Sequence, residues 1–181
     1  MNIEVKNSIK PIDYVKSIEI MEQRVKDVFS GTKDELLWII EHNSVYTAGT
    51  SSNKKDLLDK DIKVIKTSRG GKHTYHGPGQ KIVYFVLNLN KRKKDIRKLV
   101  ENIELCIMKV LQEYGINSYS DKNNIGIWVN ENNKPMKVAA IGIRVKKWIA
   151  YHGFSINVSN DLKKYRSINP CGIIDKGVTN L

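Results

Sequence analysis

Hydrophobic positions along the chain follow two periods, and the switch between them separates helices from strands. Ile12, Val15, Ile18, Met21, Val25, Val28 and Phe29 recur at helical spacing, which predicts an amphipathic helix closed by Gly31. The same spacing returns at Ile96, Leu99, Val100, Ile103, Ile107, Val110, Leu111 and Tyr114, with Gly115 as the cap. Glu35 to Glu41 encloses a short continuous apolar run, the mark of a buried strand. Lys63–Lys66 reads as a second strand, and the β-branched and aromatic run Ile82–Leu87 as a core strand. Ile125–Val129, Met136–Val145 and Trp148–Val158 predict three more, separated by Asn130–Pro135 and Lys146-Lys147. Helices interleave with strands early and strands cluster late. The expected fold class is therefore α/β (α+β), a mixed sheet with flanking helices. No repeat or Pro/Ser-rich linker divides the sequence, so residues 1–181 read as one domain.

Composition narrows the function classes. The longest apolar stretches are too short to span a bilayer, and Met1–Lys6 contains no apolar segment of the secretory kind. A cytoplasmic protein without membrane contact is the expectation. Two cysteines, Cys106 and Cys171, cannot build a disulfide framework or a structural zinc site, and no metal is expected. Cys106 adjoins the apolar stripe of the second helix and reads as an inert, small core hydrophobe. The net charge of +12 favours acidic partners. The lysines are dispersed in short clusters, and by count alone a solvated basic surface is the first reading of them, acidic partners the second. A nucleic-acid module would need a concentrated basic face with stacking aromatics, so no nucleic acid is expected.

Two segments carry candidate chemistry. Arg69 to Gln80 holds four glycines, an arginine and two histidines between predicted strands, and glycines let a ligand approach the main chain closely. It is neither a P-loop nor a dinucleotide fingerprint, because His73 follows Gly71-Lys72 and no helix comes after. The second segment, Asn169-Pro170-Cys171-Gly172, places a thiol in a polar loop, where an incidental cysteine and a nucleophile are about equally plausible. A neighbouring cation that lowered its pKa by about one unit would raise the thiolate fraction at neutral pH from a few per cent to roughly a quarter. Lys137, which opens the run Val138-Ala139-Ala140-Ile141-Gly142, is the candidate cation.

Arg69-Gly70-Gly71 followed by Thr74-Tyr75-His76-Gly77-Pro78-Gly79-Gln80, then Lys137 to Val145, Tyr151 to Val158 and Ile168 to Gly172, together resemble the octanoyltransferase family of lipoate biosynthesis. The blocks occur in the family's order and cover essentially the whole chain. The resemblance implies the fold of the biotin and lipoate protein ligase catalytic domain. It implies that Cys171 accepts an octanoyl group from octanoyl-acyl carrier protein as a thioester, with Lys137 setting the thiol's pKa and shuttling a proton. By the same resemblance Arg69, Gly70, Gly71, Lys72, His73, Thr74, Tyr75 and His76, with Ala140, Ile141, Gly142, Gly153, Phe154 and Ser155, line the acyl pocket. The acceptors would be lipoyl domains of 2-oxoacid dehydrogenase complexes and the glycine cleavage H protein, with no cofactor. The family usually continues into a C-terminal helix, which a chain stopping at Leu181 is expected to lack. An ATP-dependent lipoate or biotin ligase on the same fold is the alternative, and such enzymes need no cysteine.

Overall fold

The computed structural model describes residues 2–169 and 177–181. The main sheet is mixed, with strand order β1-β2-β6-β10-β9-β8-β7. Its members are β1 (Ile3–Asn7), β2 (Glu35–Ile40), β6 (Gln80–Asn88), β7 (Tyr119–Ser120), β8 (Ile127–Glu131), β9 (Lys134–Lys146) and β10 (Ile149–Asn157), with β11 (Gly177–Val178) paired in parallel to β9. A smaller sheet joins β3 (Val45–Ala48), β4 (Val64–Lys66) and β5 (His73–His76) in the order β4-β3-β5.

The two helices cover opposite faces of the main sheet, and residue alternation in β6 shows why. Ile82, Tyr84 and Val86 point into one core with Met21, Val25 and Val28 of α1 (Tyr14–Ser30). Phe85 and Leu87 point into the other, with Ile103, Ile107 and Leu111 of α2 (Ile96–Glu113). A strand covered on both faces carries an unbroken apolar run, as Ile82–Leu87 does. Complete burial of side chains such as Trp38, Leu36 and Ile107 contributes about 1.5–3 kcal/mol each. The helix ends are set locally: Asp13 accepts from the Lys16 amide at 3.0 Å, and Gly31 closes α1 with φ at +77°.

Several elements differ from the sequence expectation. Cys106 is exposed and lies off the buried stripe of α2, so it is not a core residue. The glycine segment is not loop throughout, because His73–His76 is strand β5, antiparallel to β3. The short strand β3 and the edge strand β1 add to the expected strands; every residue of β1 is exposed. Among the described residues, no helix is long and apolar enough to cross a membrane.

Candidate functional site

The middle of β9 and β10 is built from small residues, and that opens a cavity. Gly142 lies directly opposite Gly153, Ile141 opposite Phe154, and Ala140 opposite Ser155. The absent side chain at Gly142 lets the glycine segment lie on the sheet: a Cβ there would sit 3.3 Å from the Gly70 carbonyl oxygen. The Gly70 amide donates to the Ile143 carbonyl at 3.3 Å. Arg69 fastens the segment to the small sheet. Its Nη2 donates to the Thr47 carbonyl, the Thr47 hydroxyl and the Lys72 carbonyl at 3.1, 2.8 and 2.8 Å, and its Nη1 to the Gly70 carbonyl at 3.0 Å.

The cavity so formed has a volume of about 70 Å³. Arg69, Gly70, Gly71, Lys72, His73, Thr74 and His76 line one side, and Ala140, Ile141, Gly142, Gly153, Phe154 and Ser155 line the other. Tyr75 does not reach it. Strand alternation turns Tyr75 to the opposite face of β5, where its hydroxyl meets the Ser44 hydroxyl at 2.9 Å and its ring packs on Tyr46 and Tyr165. Ile82, Tyr84 and His152 complete the lining, and the sequence motifs do not mark them as site residues. The unusual feature of His152 is its backbone, φ +68°, a left-handed conformation in mid-strand that costs a non-glycine residue about 1–2 kcal/mol. It breaks the alternation of β10, so that the ring stacks on Tyr151 at 4.7 Å and meets Tyr84 at 6.5 Å. No periodicity in the sequence signals that.

The four histidines are all buried, and burial lowers the pKa of each. His76 falls to about 3 through burial first, then the nearby His42 and the Arg69 charge. His152 also falls to about 3, through burial, Arg69 and Arg144. These rings are neutral at pH 7. His42 Nδ1 lies 2.7 Å from the Ile12 carbonyl, which can only accept, so that nitrogen carries the proton. Its Nε2 then accepts from the Tyr84 hydroxyl at 2.8 Å. Gln80 donates its amide hydrogens to Asn157 Oδ1 at 2.8 Å and the Tyr165 hydroxyl at 2.9 Å, leaving Oε1 to accept from His76 Nδ1 at 2.6 Å.

Lys137 is 5% exposed. Its Nζ donates to the Ile125 carbonyl at 3.1 Å and sits 4.6 Å from the centre of the Trp128 ring. Gly126 makes room for it: φ is +132°, and a Cβ would lie 2.7 Å from the Ala139 carbonyl oxygen and 3.2 Å from Lys137 Cε. A second cavity, of about 390 Å³, borders Lys137 and shares Gly70, Gly71, Lys72, Ile141 and Gly142 with the first.

Cys171 lies outside the described residues. Asn169, before it, donates its amide to the Asp56 carbonyl at 2.8 Å. The Asp56 carboxylate lies 3.6 Å from Lys72 Nζ in the glycine segment. After it, Gly177 and Val178 pair with Met136 and Lys137, and the Thr179 amide donates to the Lys137 carbonyl at 3.0 Å.

Comparison with known proteins bears on the family and the fold. The family model described as lipoyl protein ligase A/B catalytic domain matches residues 13–181. A curated octanoyltransferase of Anaplasma phagocytophilum (strain HZ) is 46% identical over 183 residues, covering 100% of this chain and 88% of the relative. One of Ehrlichia ruminantium (strain Gardel) is 49% identical over 173 residues, covering 94% and 83%. Among solved structures, P. falciparum LipL1 in complex with lipoate superposes with a TM-score of 0.69 at 15% identity, covering 92% of this chain and 51% of that one. At that identity the likeness speaks for the fold.

Proposed function

The chain belongs to the lipoyl protein ligase A/B catalytic domain family, and we propose that it transfers an octanoyl group from octanoyl-acyl carrier protein to a lysine of lipoyl domains, through a thioester on Cys171. The observation that carries this reading is convergence. Segments 69–76, 140–142 and 153–155, far apart in sequence, surround one cavity, and Lys137 borders the cavity beside it. Octanoyltransferases 46% and 49% identical to the chain support the choice of acyl group.

In the first step the Cys171 thiolate attacks the donor's thioester carbonyl. A new C–S bond forms, the donor's C–S bond breaks, and the departing sulfur takes a proton from the Lys137 ammonium. In the second step the acceptor's amine attacks the acyl-cysteine. The C–N bond forms as the C–S bond breaks, and Lys137, now a neutral amine, takes the ammonium proton and returns it to the sulfur. Exchange between thioesters is nearly isoenergetic and amide formation from a thioester runs downhill, so neither step needs ATP. The apolar Phe154, Ile141 and Ile82 suit a saturated tail, and the glycine segment supplies backbone amides able to bind an oxyanion.

Incubation with octanoyl-acyl carrier protein tests the reading by intact mass and peptide mapping. The expected adduct is one octanoyl group on Cys171, absent in Cys171→Ala. An adduct retained by that variant would remove the nucleophile. Modification of a lipoyl domain only with free lipoate and ATP would replace the transfer with ligation.

A further inference from the structure

The second cavity lies outside the acyl pocket and has a composition of its own. Ile96 and Val100 from the start of α2 form one wall, and Asn123, Asn124 and Ile125 from the turn before β8 form another. Its remaining lining is the glycine segment, Lys137 and the strip Ile141–Ile143 of β9. Ile96 and Ile125 are 42% and 52% exposed, an apolar rim open to solvent.

Resting on the acyl-transfer reading above, we propose that this cavity holds the pantetheine arm of an acidic acyl carrier. Continuity is the first argument. Five residues line both cavities, so a donor with its tail in the first and its thioester at Lys137 has its remaining arm in the second. Chemistry is the next: Asn123, and Asn124 with its Nδ2 held by Asp121 Oδ2 at 2.7 Å, stand beside branched apolar side chains and match an arm that carries amides and a geminal dimethyl group. Charge selects the carrier. The chain carries a net charge of +12, which attracts an acidic protein and repels a basic one.

The test compares octanoyl-4′-phosphopantetheine with S-octanoyl-N-acetylcysteamine, whose arm ends after the first amide. Two variants are used. Ile96→Glu places a negative charge on the exposed rim in the first helical turn, where an acidic residue favours the helix. Val100→Trp fills the wall. In each, the ratio of kcat/KM for the full arm to that for the truncated arm falls at least fivefold. A smaller change in both variants, with the wild type active, overturns the arm site and leaves acyl transfer standing. A wild type that turns over neither donor overturns the acyl-transfer reading and this one with it.

Discussion

Two charge systems in this molecule are held in different ways. At the start of β2, the carboxylate of Glu35, 3% exposed, takes both Nη atoms of Arg92, one at 2.6 Å, and also accepts from the Asn88 amide at 2.7 Å. Opposite charges meet, and the pair raises the Arg92 pKa. Around the cavity, Arg69 is held by the carbonyls of Thr47, Gly70 and Lys72, and Lys137 by a carbonyl and an indole face. Carbonyl oxygens, which carry no formal charge, are among the groups that fix those side chains. Burial is the main cause of the lowered pKa values of His76 and His152, and the Arg69 charge adds to it. The first system ties the start of β2 to the end of β6; the second sets positive side chains beside the cavities, where an anion such as a thiolate is favoured.

That contrast can be broken from either side. The largest effect belongs to the cavity. Lys137→Met retains the volume but removes the charge and the proton carrier, and kcat/KM for octanoyl transfer is expected to fall about 10³-fold, about 4 kcal/mol. Turnover within tenfold of wild type would end its assigned role. Glu35→Ala addresses the other system. It strips a half-buried guanidinium of its partner and is expected to cost about 2–3 kcal/mol in urea unfolding, with unchanged turnover per folded molecule. The smallest effect is that of pH. A histidine whose folded pKa is about 3 and whose unfolded pKa is about 6.5 binds its proton only when unfolded between those values. Stability therefore falls as pH drops below about 6.5, by about 2 kcal/mol per such histidine at pH 5. His76→Gln should flatten the loss between pH 7 and pH 5 relative to wild type, measured by denaturant titration at each pH.

The apolar pattern of the chain determined both helices, the long central strands and the presence of two covered faces, because those features repeat over many residues. Local motif chemistry pointed to segments 69–76, 140–142 and 153–155, which line one cavity except at Tyr75. Tyr75 shares the motif yet faces away, since neighbours in a strand occupy opposite sides. The mid-strand twist at His152, the room that Gly126 leaves for Lys137 and the placing of Ile82 and Tyr84 in the cavity wall were decided only in three dimensions. Each depends on what a distant segment presses against it, and a linear pattern of hydrophobicity records which residues prefer burial without saying which of them will meet.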